Sequence, residues 1–307
     1  MTAPNELPTR PTPSGPPAVD RILSATDFSA PARRAMQRAA VLARSTGLPL
    51  ALWHALPRAA PWQRLMNDGD ALPERMRVEA ETLLTALAGE LAARAGGPVA
   101  HRVDDGPAHR ALAQALAALP GALLVLGARG AGFVRHRVLG STAERVLRLS
   151  PTPVLVVRQA AHEPYRRVLV GVDGSASGER LARLAAQLAP QVRLILVHAV
   201  SLPFEGKLWI AGVGEATVAE YRRRARAEAL TLLHETARAA GLSDADWEPR
   251  VGDGDPADVL AEQEQLLDAD LVVVGRHAQG LAESWLLGST PQHLLAEGGA
   301  DLLVVSV

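Results

Sequence analysis

A glycine-rich stretch followed by two hydroxyls carries the clearest chemistry in the 307-residue chain. Within "GARGAGFVRHRVLGST", Gly127, Gly130 and Gly140 precede Ser141 and Thr142. A helix that begins at Ser141 would present backbone N–H groups without intrahelical partners, together with the positive end of its dipole. Both features attract anions, phosphate above all, and glycines let the backbone approach a bulky anion. The stretch therefore predicts a phosphate-binding loop.

The same residues also have a purely structural interpretation. Ser141 and Glu144 have the spacing of a capping box, and Gly140 could simply turn the chain. Spacing alone does not decide between the two interpretations. The length of the loop, its repetition later in the chain and an aspartate expected across the crevice favour phosphate. No Gly-Lys-Ser/Thr follows the loop, so it is not a P-loop, and no Gly-x-Ser-x-Gly nucleophile elbow occurs.

The chain contains one pattern twice. "RILSATDFSAPARRAMQRAAVLA" resembles "RVLVGVDGSASGERLARLAAQLA", and "LLVLGARGAGFVRHRVLGST" resembles "LVVVGRHAQGLAESWLLGST". The equivalent aspartates, Asp27 and Asp173, lie 146 residues apart, and the equivalent glycines, Gly140 and Gly288, lie 148 apart. Spacing that holds over the whole length indicates two copies of one domain.

The elements within each copy predict the fold class. Short aliphatic runs bounded by glycine alternate with amphipathic segments, which predicts a parallel sheet buried on both faces by helices. Such α/β folds are doubly wound, and their ligands bind beyond the carboxyl ends of strands where the strand order reverses. We place the first repeat at residues 20–158 and the second repeat at 165–307. The proline-rich tail, residues 1–19, is expected to be disordered.

Composition excludes several function classes. The net charge is −1, from 32 basic and 33 acidic side chains, so no basic field is available for nucleic acid. Cysteine is absent, which excludes disulfides and thiol chemistry. No apolar run approaches the roughly 18 residues of a membrane span, and the first residues do not form a secretory signal. We therefore expect no nucleic-acid partner, no membrane partner and a cytoplasmic location.

The pattern Gly-x2-Gly-x9-Gly-Ser after "LLVLG", with a first strand that ends in aspartate, resembles the universal stress protein family. The resemblance covers each copy almost end to end, so the chain resembles a tandem member. It implies two repeated, doubly wound, Rossmann-like α/β domains, each with a five-stranded parallel sheet in the order 3-2-1-4-5. For many members it also implies ATP in the crevice. The expected cofactor is ATP, with Mg²⁺ left open, and the expected function is stress-response regulation through an adenine nucleotide.

Matching positions receive roles from this resemblance. It implies that Asp27 lies beside the adenosine and that Ala55 meets the adenine through its backbone. Glycines of the loop would line the ribose and phosphates, and the helix start would take the phosphates. The expected nucleotide-binding residues are Asp27, Ala55, Gly127, Arg129, Gly130, Gly140, Ser141 and Thr142 in the first repeat, and Asp173, Ala199, Gly275, Gly288, Ser289 and Thr290 in the second.

The second repeat departs from the pattern. Ala278 replaces the glycine found at Gly130, so its methyl group would intrude on a phosphate, and Glu283 would repel a triphosphate. We therefore expect the second site to be weaker or empty. In the first repeat, Phe28 takes the place of Gly174, which would crowd an adenosine.

Three function classes follow from these residues. The first is an ATP-binding regulatory protein. The second is a slow ATPase or nucleotidyl-transfer enzyme that uses the same pocket, although the sequence places no general base near the terminal phosphate. The third is a scaffold that binds protein partners without nucleotide. We assign no catalytic residue and no metal ligand, and we interpret His54 and His198, at equivalent strand ends, as residues that support the fold.

The last strand of each repeat predicts how the repeats associate. The segments "PVLVV" and "DLLVVSV" are aliphatic edges that would aggregate if left unpaired. In the resembling family such strands pair across a two-fold axis. One chain is therefore expected to form an intramolecular pseudo-dimer, and a homodimer of whole chains is left open.

Overall fold

The computed structural model describes residues 19–57, 71–128, 139–201, 215–276 and 288–306. The first repeat contains β1 (Arg21–Ala25), α1 (Ala30–Thr46), β2 (Leu50–Leu56), α2 (Ala71–Ala95), β3 (Val99–Asp105), α3 (Ala108–Ala117), β4 (Ala122–Gly127), α4 (Ser141–Leu149) and β5 (Val154–Val157). The second repeat contains β6 (Val168–Gly171), α5 (Ser177–Leu188), β7 (Leu194–Val200), α6 (Glu215–Ala239), β8 (Trp247–Asp253), α7 (Pro256–Leu267), β9 (Leu271–Arg276), α8 (Ser289–Glu297) and β10 (Asp301–Ser306).

Both repeats share one sheet of ten strands. Its order is β3-β2-β1-β4-β5-β10-β9-β6-β7-β8, so each repeat has the five-strand order 3-2-1-4-5. The strands within a repeat are parallel, whereas β5 and β10 are antiparallel, with Leu155 opposite Leu303. The predicted α/β class, the two repeated parallel sheets and their strand order are confirmed.

Helices cover both faces of this sheet, as the continuous aliphatic strands require. Residues of α1, α2, α5 and α6 pack in one buried cluster, including Met36 and Leu84. Residues of α3, α4, α7 and α8 pack on the opposite face, including Leu112 and Leu147. In the described part of the chain, no helix is both long enough and apolar enough to cross a membrane.

A buried ionic cluster joins the two repeats at the start of β10. Asp301, which is fully buried, accepts hydrogen bonds from the Arg38 Nε at 3.1 Å and the Tyr165 hydroxyl at 2.8 Å. It also accepts from the backbone amides of Arg158 at 2.8 Å and Gln159 at 3.0 Å. The Arg38 guanidinium carbon lies 4.1 Å from the centre of the Tyr165 ring. Residues far apart in the sequence thus hold α1, the segment between the repeats and β10 together.

Two arginines also cap helices across the contact between the repeats. Arg276, from the end of β9, donates to the carbonyls of Arg148 and Ser150 at the end of α4. Arg158, which follows β5, donates to three carbonyls in the last turn of α8 and just beyond it, those of Leu294, Leu295 and Gly298. A cation at a helix C-terminus satisfies carbonyls that lack intrahelical partners and opposes the negative end of the dipole. Each repeat therefore stabilises one helix of the other.

Tyr165 should make stability depend on alkaline pH. Burial, with Asp301 nearby, raises the pKa of this phenol well above its usual value. An unfolded tyrosine ionises near pH 10, so above that pH unfolding releases a proton and the free energy of unfolding falls as pH rises. This effect is absent below about pH 10, because both states are then protonated.

Denaturant unfolding between pH 9 and 11 tests this expectation. Tyr165→Phe should lower the slope of the free energy of unfolding against pH by up to about 1.4 kcal/mol per pH unit. Tyr221, which is 55% exposed, supplies the control, because Tyr221→Phe should keep the wild-type slope. Identical slopes for the wild type and Tyr165→Phe would contradict the assignment.

Candidate functional site

The strand order reverses between β1 and β4 in the first repeat, and between β6 and β9 in the second. In the first repeat these strands pair in parallel, with Leu23 opposite Leu124. Asp27 follows the end of β1, and Gly127 ends β4, so both lie at the carboxyl edge beside the reversal. Asp173 and Gly275 have the same relation to β6 and β9. Loops at such an edge are where doubly wound folds bind ligands.

The first-repeat loop is only partly described. Arg129 and Gly130 lie outside the described residues, as does most of the segment between β4 and α4. Helix α4 begins at Ser141, as predicted, with Gly140 as its N-cap residue. The Gly140 amide donates to the carbonyl of Ala128 at 2.9 Å, which returns the chain to the end of β4.

The capping-box interpretation of the start of α4 is wrong. No side-chain hydrogen bond caps α4, and the Glu144 carboxylate pairs with Arg148 at 2.7 Å instead. Helix α8 likewise begins after Gly288 with no side-chain cap. Ser141 and Ser289 are each the first helical residue rather than the N-cap. The first-turn amides of both helices are therefore not capped by their own side chains.

A cavity of about 280 Å³ lies at the carboxyl edge of the second repeat. Apolar side chains such as Val259, Leu260 and Val274 form part of its wall. Six residues predicted from the sequence lie on its lining: Asp173, Ala199, Gly275, Gly288, Ser289 and Thr290. The structure thus brings the second-repeat set together around one volume. The sequence pattern predicts neither the apolar wall nor Arg276, which also lines the cavity.

Equivalent histidines link the first two strands at each carboxyl edge. The His54 Nδ1 lies 2.8 Å from the Thr26 carbonyl oxygen, and the His198 Nδ1 lies 2.7 Å from that of Val172. A carbonyl only accepts, so Nδ1 carries the proton in both rings. Both histidines hold the end of one strand against the next. Among the described residues, no group of three or more potential metal ligands occurs.

The turn after each first strand is held by its own aspartate. The Asp27 Oδ1 accepts from the Ser29 amide at 3.1 Å, and the Asp173 Oδ1 accepts from the Ser175 amide at 2.9 Å. The intervening residue has a left-handed backbone in both repeats. Gly174 adopts φ 84°, whereas Phe28 adopts φ 63°, a conformation that costs a non-glycine residue about 1 kcal/mol. The Phe28 ring lies 4.5 Å from the ring of His54, centre to centre.

Gly127 has a packing role that its sequence pattern does not indicate. A Cβ built on Gly127 would lie 2.7 Å from the carbonyl carbon of Pro31 and 3.0 Å from the amide nitrogen of Ala32. These are backbone atoms of α1, which cannot move without shifting the helix. The glycine therefore permits close contact between α1 and β4, whatever ligand lies at the edge.

Gly127→Ala should destabilise the protein by about 1–3 kcal/mol through this overlap. Gly89→Ala is the control, because a Cβ at Gly89, within α2, meets no atom within 4 Å. Alanine in a helix is favoured over glycine by about 1 kcal/mol, so this control should stabilise. A denaturant midpoint of Gly127→Ala that is equal to or higher than that of the wild type would contradict the packing role.

Comparison with known protein families matches the universal stress protein family over residues 18–158 and again over 164–306. The chain belongs to the universal stress protein family. This universal stress protein is 33% identical over 197 residues to one from Mycolicibacterium smegmatis, a match that covers 60% of the chain and 61% of that relative. The chain thus spans about 60% of the length of the first curated relatives it matches.

A longer match joins this universal stress protein to one from Mycobacterium tuberculosis. The two are 28% identical over 278 residues, which is 87% of this chain and 90% of that one. The fold is shared with the crystal structure of a universal stress protein from Archaeoglobus fulgidus, at a TM-score of 0.63 and 17% identity. That alignment covers 94% of this chain and 98% of the other.

Proposed function

We propose that this universal stress protein binds adenine nucleotide, with ATP at the carboxyl edge of the first repeat, and acts as a regulatory stress-response protein. The observation that supports this most strongly is the second-repeat cavity, whose lining includes all six residues expected there. The first repeat has the same strand order and a similar turn after its first strand. Its last helix also follows a glycine and has no side-chain cap, although Gly140 has φ −70° where Gly288 has φ 86°. We therefore propose one nucleotide site in each repeat, at matching positions of the fold.

The available groups suit a nucleotide chemically. Gly288, Ser289 and Thr290 supply main-chain N–H groups at a helix start and two hydroxyls, which are donors to phosphate oxygens. The apolar wall offers contact to a base or ribose, as in typical cofactor pockets. We assign no protein ligand to Mg²⁺, which would arrive coordinated by the phosphates.

The expectation of a weaker second site depends on Ala278 and Glu283, both of which lie outside the described residues. It stays a prediction. The described part of the second site argues for binding, because its helix start and cavity are both present. We also propose that the β5–β10 pairing makes one chain an intramolecular pseudo-dimer.

Isothermal titration calorimetry on the full chain, purified free of nucleotide, tests the proposal. We expect saturable ATP binding, with up to two molecules per chain and weaker binding of guanine and pyrimidine nucleotides. A chain that takes up no adenine nucleotide at millimolar concentration would refute the proposed function.

A further inference from the structure

A buried arginine lines the second-repeat cavity at a position where the first repeat has an uncharged residue. Arg276 is only 5% exposed and lines this cavity at the end of β9. The equivalent residue in the first repeat is Ala128. Burial lowers the pKa of the Arg276 guanidinium, because a charged group is less stable when removed from water. The two sites therefore differ in charge at one matched position.

Within the described residues, the hydrogen-bond partners of this guanidinium are neutral. Its Nη1 donates to the Arg148 carbonyl, and its Nη2 donates to the Ser150 carbonyl at 3.0 Å and to the Ser306 hydroxyl at 2.9 Å. Within the described residues, no carboxylate forms an ion pair with it. Because a guanidinium has five N–H donors, three bonds leave two donors available to a further acceptor. The described part of the chain therefore pairs this guanidinium with no carboxylate, although Asp173 also lines the cavity.

The strand period places the Arg276 side chain on the cavity side of the sheet. Residues two apart on a strand point to the same face, so Arg276 and Val274 share a face. Val274 lines the cavity and packs in the cluster that includes α7 and α8. The start of α8, at Gly288 and Ser289, lines the same cavity. Arg276 and the positive end of a helix dipole therefore line one volume.

We propose that Arg276 donates to the phosphate groups of a nucleotide in the second repeat and makes that site selective for phosphorylated ligands over the nucleoside. This rests on the proposed function. A phosphate would supply the missing counter-charge, and a planar guanidinium matches phosphate oxygens well. The bonds to Arg148 and Ser150 fix the guanidinium in place before the ligand arrives, so little side-chain entropy is lost on binding.

The test compares adenosine, AMP, ADP, ATP and inorganic tripolyphosphate by calorimetry on the full chain. In Arg276→Gln, one class of ATP sites should weaken by about 10- to 100-fold, since a hydrogen bond to a charged group is lost. Tripolyphosphate binding should weaken equally, while adenosine affinity should stay unchanged. Arg276→Lys keeps the positive charge but loses the paired N–H donors of the planar guanidinium, so ATP affinity should fall by only about tenfold. This variant replaces Arg276→Gln in the test if the glutamine variant does not fold.

Arg158→Gln is the matched control. Arg158 also caps a helix of the other repeat, α8, but it does not line the cavity. Its loss should lower stability while leaving the ratio of ATP to adenosine affinity unchanged. That ratio separates a ligand-binding role for Arg276 from a role in holding the repeats together.

The outcomes distinguish this inference from the proposed function. Unchanged ATP binding in Arg276→Gln, or equal weakening of ATP and adenosine, would overturn the inference while the proposed function stands. If the wild type binds tripolyphosphate through Arg276 but no adenine nucleotide, the proposed function fails and the anion site remains. Equal tripolyphosphate affinity in the wild type and in Arg276→Gln would overturn the inference.

Discussion

Gly140→Val should remove one ATP site per chain without unfolding the protein. Gly140 has φ −70° and ψ 147°, an extended backbone that a β-branched residue also adopts. Valine therefore fits the backbone, and we expect its side chain to block the approach of a phosphate to the first helical amides. The loss of two charge-assisted hydrogen bonds from those amides would lower the affinity for ATP by about 100-fold or more.

The stability of Gly140→Val shows whether ATP binding is lost because the phosphate site is blocked or because the protein unfolds. Valine is a poorer N-cap residue than glycine, so the expected destabilisation is only about 1 kcal/mol. Gly97→Val is the control, because a Cβ at Gly97 meets no atom within 4 Å. It should bind ATP like the wild type. Unchanged ATP affinity and stoichiometry in Gly140→Val would show that the start of α4 does not hold phosphate.

Asp301→Ala should be among the most destabilising single changes in this protein. It leaves the buried Arg38 guanidinium without its carboxylate and the Tyr165 hydroxyl without its acceptor. Breaking a buried ion pair from one side costs about 3–5 kcal/mol, because an uncompensated charge stays buried. The two backbone amides that Asp301 accepts from, those of Arg158 and Gln159, lose this partner as well.

Two further variants define what the cluster contributes. Asp253→Ala removes a surface carboxylate, 52% exposed and 3.1 Å from Arg226, and should cost at most about 1 kcal/mol. The double variant Arg38→Met, Asp301→Leu replaces the pair by apolar groups and should recover much of the loss. Equilibrium unfolding in urea measures all three. Equal losses for Asp301→Ala and Asp253→Ala would contradict the role of the cluster.

The repeat and the fold could be predicted because their signals are local. Aliphatic runs such as Leu271–Val274 indicate strands without any knowledge of contacts. The matching segments that contain Asp27 and Asp173 likewise indicate the repeat. The start of α4 at Ser141 follows from the same kind of local pattern. The family resemblance then supplied the strand order, which local patterns do not determine.

The remaining features depend on contacts between distant residues. Arg276 contacts Arg148 and Ser150, 128 and 126 residues away, and Arg38 contacts Asp301, 263 residues away. No spacing rule in one sequence connects such positions. Gly127 resembled a ligand residue because a glycine at a strand end suits both phosphate approach and helix packing. Only the position of α1 distinguishes the packing role.

A crystal structure of the ligand-free protein soaked with ATP and Mg²⁺ tests the central claim most directly. We expect phosphate density within hydrogen-bonding distance of the first amides of α4, at Ser141 and Thr142, and of α8, at Ser289 and Thr290. Saturating ATP with no density at either helix start, or with the nucleotide bound elsewhere, would contradict the claim that these helix starts hold the phosphates.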